Sequence, residues 1–274
     1  MKKLFTGSLF YLIITSFSSL FAQPLKIKGS DTMLPLIQLQ VEAYMRKYHA
    51  EMNVTGGGSG VGITALMDGS TDIAMSSRDL KIAEKLKFEE KNLKLITVQI
   101  ANDALSVIIN PANKLKQLTR EQLESIFTGK VTNWKEVGGD DMKIVVYTRE
   151  SSSGTYEFMK EHVMGKKEFA KTAISTSATA QIVYAVGQNK SAIGYVGLAY
   201  VEPIVKAISI SYDGGSKYIA PTFNNAFNRT YPITRPLFLM YSGVNEKTAK
   251  PFVDFILSIY GQKLVTHKGY IPLK

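Results

Sequence analysis

Strands and helices alternate along most of this 274-residue chain, which predicts an α/β fold with mainly parallel sheets. Three observations carry that prediction. Apolar, β-forming runs recur at 24–28, 52–55, 72–75, 94–100, 103–110, 143–147, 192–196, 207–211 and 235–241. Segments with apolar residues at helical spacing lie between many of them, as Leu36, Ile37, Leu39, Val41, Tyr44 and Met45 show for the first. Several strands run out into small polar turns rather than tight hairpins. Ligands of open α/β sheets sit beyond the carboxyl ends of strands, so these turns are where a site is sought.

The strongest of them follows strand 143–147. Arg149, Glu150, Ser151, Ser152, Ser153, Gly154 and Thr155 join it to a helix marked by Tyr156, Phe158, Met159 and Val163. A helix N-terminus presents unpaired N–H groups and a partial positive charge, and therefore binds anions. Here it also carries hydroxyls and one permanent cation. Ser153 or Thr155 acting only as an N-cap is the plainer alternative.

Taken in order, Gly29, Ser30, Asp31 and Thr32 follow the first strand and lead into a helix reaching about residue 49, with Pro35 suited to its first turn. The second strand ends in Gly56-Gly57-Gly58-Ser59-Gly60-Val61-Gly62 before a helix over 63–67. Glycines let backbone N–H groups turn toward an anion. The lysine of a P-loop is missing, and so is the glycine spacing of a dinucleotide fingerprint. The third strand ends in Ser76-Ser77-Arg78, with Arg78 open between a site cation and a surface residue. Asp103 opens an apolar strand, an unusual place for a carboxylate. Thr119 and Gln122 predict a capping box for a helix over 119–127. Further helices are expected at 178–189, 249–258 and 261–266, and residues 213–229 read as loop.

Composition narrows the function. Lys2, Lys3, the apolar run 9–14 and a small-residue cut after Ala22 make residues 1–22 a cleaved secretory signal peptide, too short in its apolar part to span a bilayer. The absence of cysteine excludes disulfides and thiolate metal sites. The net charge of +10 suits an anionic ligand, but its lysines are dispersed, as on the solvated face through Lys81, Lys85, Lys87, Lys91 and Lys94, and carry no nucleic-acid signature. A serine hydrolase needs a base beside its nucleophile, and His49, His162 and His267 all lie outside the polar turns. No metal-ligand spacing is present, and an adhesin or scaffold would leave the polar turns unexplained.

Taken together, Gly29–Met33, Gly57–Gly60, Asp72–Arg78, Leu123–Trp134, Arg149–Thr155 and Ala192–Val196 resemble the phosphate-binding substrate receptors of bacterial phosphate ABC transporters, in the periplasmic-binding-protein superfamily. The resemblance covers nearly the whole mature chain. It implies a two-lobed periplasmic-binding-protein fold of type II, with lobe 1 at 23–110 and 222–274, lobe 2 at 111–221, and the ligand in the cleft. It implies a periplasmic monomer, not an enzyme, without cofactor or metal, that delivers phosphate to permease subunits in the inner membrane. By position it implies phosphate contacts from Thr32, Met33, Ser59, Arg149, Ser153, Gly154 and Thr155; Ser30, Asp31, Ser77, Arg78, Asp103 and Ser151 complete the candidate phosphate-binding set from the polar turns and the strand entry. The best-known members carry aspartates where this chain has Ser77 and Ser151, so another carboxylate must accept the proton that distinguishes phosphate from sulfate. Asp103 is the first choice, matching an aspartate of shorter members, and Asp31 the second. The remaining alternatives are a receptor for sulfate, molybdate or a phosphonate and, less favoured, a serine-dependent phosphatase or esterase.

Overall fold

A computed structural model describes residues 23–273; the expected signal peptide lies outside the described residues. In chain order the elements are β1 (Leu25–Gly29), α1 (Leu34–Tyr48), β2 (Met52–Thr55), α2 (Ser59–Met67), β3 (Ile73–Ser76), α3 (Ile82–Glu90) and β4 (Leu95–Ile109). Then come β5 (Gln117–Thr119), α4 (Arg120–Phe127), β6 (Val145–Arg149), α5 (Gly154–His162), β7 (Ile174–Thr176), α6 (Thr179–Gln188) and β8 (Ala192–Gly197). The chain ends with β9 (Lys206–Ala207), β10 (Ser209–Ser211), α7 (Phe223–Phe227), β11 (Thr234–Ser242), α8 (Glu246–Leu257) and α9 (Ile259–His267). Among the described residues no helix is long and apolar enough to cross a membrane.

The main sheet runs β2-β1-β3-β11-β4-β8-β6-β7, with β9 also on β4. Its flanks are parallel, β2-β1-β3 on one side and β8-β6-β7 on the other. Its centre is antiparallel, because β11 and β4 run against their neighbours. The expected parallel sheets are thus joined by two long strands. β4 changes partners halfway: Leu95–Ala104 pairs with β11, and Leu105–Ile109 pairs with β8. Two strands expected at 94–100 and 103–110 are one strand of 15 residues, which places Asp103 in its interior rather than at its start.

Apolar burial follows this division. One core gathers Ile27, Leu36, Ile37, Ile73, Leu237, Leu239 and Phe252. A second gathers Leu105, Leu123, Phe127, Trp134, Met159, Ile193 and Tyr195, together with Ala226, Tyr231 and Ile233 from the segment before β11. The α4 capping box is present, with Thr119 and Gln122 each bonding the other's backbone N–H. The segment read as loop at 213–229 contains α7, capped by Thr222. The helix expected from residue 63 starts at Ser59, directly from its glycines, and α5 starts at Gly154 with Ser153 as its N-cap. The polar turns after β1, β2, β3 and β6 therefore open into the gap between the two cores.

Candidate functional site

The first turn enters the gap with Ser30, Asp31 and Thr32, all buried. Ser30 donates from its hydroxyl to Ser77 Oγ at 3.0 Å, and the Ser77 N–H donates to Ser59 Oγ at 3.1 Å. Three turns of the first half of the chain thus place their hydroxyls together, with Ser59 and Ser77 both fully buried. Gly58 holds φ at +97°, and a Cβ there would meet the Ser152 carbonyl oxygen at 2.8 Å, so only glycine suits this approach. Next to it the Gly60 N–H donates to that same oxygen at 2.9 Å.

From the opposite side comes the α5 N-terminus. Ser153 Oγ accepts the Thr155 N–H, which is its capping role, yet its own O–H remains a donor. Gly154 lies so close to the first side that a Cβ would stand 2.3 Å from Ser59 Oγ and 2.7 Å from Ser77 Oγ. Thr155 Oγ1 is 2.8 Å from Thr32 Oγ1, a hydrogen bond between residues 123 positions apart.

Two arginine–carboxylate pairs flank these hydroxyls. Arg149, 2% exposed, donates to Asp31 Oδ2 at 2.6 Å, to Thr179 Oγ1 at 2.7 Å and to the Ser177 carbonyl at 2.7 Å. Asp31 also accepts the Gly57 N–H, while its own carbonyl accepts the Tyr200 hydroxyl. The second pair joins β4 to β11, where Asp103 and Arg235 stand opposite in register. Arg235 Nε and Nη2 donate to Asp103 Oδ2 at 3.1 and 2.9 Å, and Nη2 also reaches Thr32 Oγ1 at 3.3 Å and Thr155 Oγ1 at 3.1 Å. Burial raises the Asp103 carboxyl above its ordinary value, against the pull of Arg235.

The structure therefore brings Ser30, Asp31, Thr32, Ser59, Ser77, Arg149, Ser153, Gly154 and Thr155 to one buried region, with Asp103 behind it. It does not gather the rest. Arg78 turns away to Glu84, with Nη1 and Nη2 donating to the two carboxylate oxygens at 2.8 and 2.7 Å. Ser151 is exposed at the rim. Met33 is buried in the first core, and its N–H donates to the Ser30 carbonyl. Arg235 was missed by sequence reading, as was Thr179. The signal for Arg235 was available in Asp103 itself, since a carboxylate inside an apolar strand requires a cation and β11 carries one.

Six hydroxyls and two helix N-termini line one buried region, with Arg235 bonded to two of the hydroxyls and Arg149 joined to it through Asp31, a donor-rich arrangement suited to a small oxyanion. The chain as a whole is similar to known proteins. The profile of the PBP superfamily domain matches residues 17–259. The phosphate-binding protein PstS of Pseudomonas aeruginosa is 32% identical over 263 residues, covering 89% of this chain and 81% of that protein. PstS of Staphylococcus epidermidis is 34% identical, covering 90% and 78%. Among solved structures, a Clostridium perfringens protein with bound phosphate is 35% identical with a TM-score of 0.84, covering 92% of this chain and all of that one. An ABC-type phosphate transport receptor from Vibrio cholerae is 34% identical with a TM-score of 0.73, covering 91% of this chain and all of that one. With likeness of this order over nearly its whole length, the chain belongs to the PBP superfamily and, within it, to the family of PstS substrate receptors.

Proposed function

We propose that this protein binds inorganic phosphate in the periplasm and delivers it to the permease of an ABC transporter. One observation carries the reading. The buried hydroxyls of Ser30, Thr32, Ser59, Ser77, Ser153 and Thr155 lie about the α2 and α5 N-termini, with Arg149 tied to the same turn through Asp31. Desolvating a dianion is costly, and many short donors with buried cations offset that cost. Phosphate held between turns from both sides would favour the closed arrangement by its differential affinity for it.

Ser30, Asp31, Thr32, Ser59, Ser77, Arg149, Ser153, Gly154 and Thr155 form the proposed site, and the two apolar cores are the proposed lobes. Against the expected bounds of 23–110 with 222–274 and 111–221, burial favours residues 23–104 with 234–273 as the first lobe and 105–233 as the second, because Leu105, Ala226, Tyr231 and Ile233 pack in the second core. The names of the relatives support phosphate over other oxyanions. A hydrolase is not favoured, because the site hydroxyls bond one another, backbone N–H groups and Arg235, and none of these partners is a general base. The protein acts as a secreted monomer after loss of residues 1–22.

A sulfate, molybdate or phosphonate receptor is the second reading. Its support is that serines stand at 77 and 151 and that Asp31 and Asp103 are both engaged by arginines. Isothermal titration of the dialysed mature protein with phosphate, repeated in excess sulfate, decides between them. Tight one-to-one binding that survives sulfate supports the phosphate receptor; binding abolished by sulfate refutes it.

A further inference from the structure

We propose that Arg235 is a direct anion-binding residue and that Asp103 acts by positioning it, not by accepting a proton from the ligand. This inference rests on the phosphate-receptor reading and deepens it. The Arg235 side chain is fully buried and its Asp103 partner is 1% exposed. Its Nη2 has three acceptors within 3.3 Å for two hydrogens: Asp103 Oδ2, Thr32 Oγ1 and Thr155 Oγ1. The bond to the carboxylate is the strong one, and the contacts with neutral hydroxyls are longer and shared. A phosphate oxygen is a better acceptor than a hydroxyl. Placed among these groups, it would take the outer hydrogen of Nη2 and leave both threonine hydroxyls free to donate to the same anion.

Asp103 is enclosed on its other sides. Oδ1 accepts the Leu198 N–H at 3.2 Å. A Cβ on Gly197 would stand 2.8 Å from both carboxylate oxygens, so the β8 backbone closes over the carboxylate. The guanidinium also lies 5.4 Å from the Phe158 ring centre, which supports its position. The part of the pair that reaches the hydroxyls of both sides is thus the arginine. Because β4 serves both cores and Arg235 stands opposite Asp103 where β4 passes between them, Arg235 contacts Thr32 of one side and Thr155 of the other, so an anion bound to it joins the two.

The test compares wild type, Arg235→Gln, Asp103→Asn and the double variant Asp103→Asn/Arg235→Gln, each titrated with phosphate and with sulfate and each melted by circular dichroism. Arg235→Gln leaves a buried carboxylate unpaired and can fail to fold; the double variant leaves no unpaired charge and keeps the question answerable. Arg235→Gln and the double variant are expected to bind phosphate about 10- to 100-fold more weakly. The double variant should lose no more affinity than Arg235→Gln alone, the non-additivity of one residue acting through another. Asp103→Asn should lose less, with the phosphate-to-sulfate preference unchanged. Double-variant binding within about 3-fold of wild type, well under the 10-fold unit, overturns the role of Arg235. Asp103→Asn that loses phosphate-over-sulfate preference overturns the positioning role. Wild type that binds another oxyanion and not phosphate refutes the receptor's assignment instead, and the same variants titrated with that oxyanion still judge Arg235; wild type that binds no oxyanion refutes both.

Discussion

Gly154→Ala isolates closure of the cleft from folding. Gly154 is the first residue of α5 and its φ is not positive, so an alanine suits the backbone. Considered within the second half of the chain alone, the change should be neutral or stabilise by about 0.4–1 kcal/mol through the unfolded state. Across the gap it is not neutral. The added Cβ would stand 2.3 Å from Ser59 Oγ, 2.7 Å from Ser77 Oγ and 3.0 Å from Ser59 Cβ. Ordinary contact begins more than 1 Å beyond the first of these distances. Ser59 cannot rotate away freely, because its Oγ accepts the Ser77 N–H. Overpacking of this kind costs about 1–3 kcal/mol, and here it is imposed only on the closed arrangement. Phosphate affinity should therefore fall about 5- to 150-fold at 1.4 kcal/mol per factor of ten. The melting temperature without ligand should be equal or slightly higher. Titration calorimetry and thermal melts measure the two, and X-ray scattering with phosphate should show a larger radius of gyration than wild type. Affinity within a factor of about two, alongside unchanged melting, would show that the α5 N-terminus does not pack against Ser59 when the anion is bound.

Other expectations follow from the same geometry. Arg149→Gln should abolish measurable phosphate binding and also destabilise the fold by about 3–5 kcal/mol, because Asp31 would keep a buried charge without its partner; urea unfolding beside titration checks both, and a fully stable variant contradicts the pairing. Glu84→Gln tests the acid side. Burial raises the Glu84 carboxyl, but the Arg78 hydrogen bonds and charge and the Lys81 N–H outweigh burial, so it ends below its ordinary 4.5. A depressed carboxyl contributes stability above its ordinary value and loses it as pH falls through the folded value. Glu84→Gln should thus lower stability at neutral pH and match wild type well below 4.5, and an equal deficit at both pH values refutes the linkage. Lys81→Ala removes a 2.8 Å ion pair to Glu157 across the gap, but Lys81 is 45% exposed. It should weaken phosphate binding by less than about 5-fold, with the difference disappearing at high salt.

The sequence made the turns legible because their signals are local. A serine before Gly154, three adjacent glycines before Ser59 and a Thr119–Gln122 box each announce a helix start within four residues, and α2, α4 and α5 begin there. What it hid was long-range. Asp103 reads as the first residue of a second strand, separated by residues 101–102 from the first. In the fold it lies within one strand, because Arg235 stands opposite Asp103 and neutralises it. That pairing joins residues 132 positions apart and has no spacing to read. Arg78 shows the converse. Next to Ser77 it reads as open between a site cation and a surface residue, and in the fold it is neither: it is buried, and Glu84, six residues on, holds it at the start of α3. Similarly, α7 carries Phe223, Ala226 and Phe227 at helical spacing, but at five residues it is too short for that period to stand out from the polar residues around it.

The two arginine pairs also explain how the site can hold charge without a strong field of its own. Each cation is buried against a carboxylate, Arg149 with Asp31 and Arg235 with Asp103, so the four charges cancel before any anion arrives. A bare buried arginine would carry a large desolvation cost, and a bare carboxylate would repel the ligand. Pairing lowers both costs, and at Arg235 it leaves Nη2 reaching the Thr32 and Thr155 hydroxyls. Attraction for a dianion then comes from fixed donors at short range, namely the α2 and α5 N-termini, the hydroxyls and the outer edge of Arg235. Short-range, buried donors are weakly screened. Affinity should consequently depend little on ionic strength, in contrast to the Lys81–Glu157 contact at the rim, and titrations across a salt series would separate the buried contribution from the surface one.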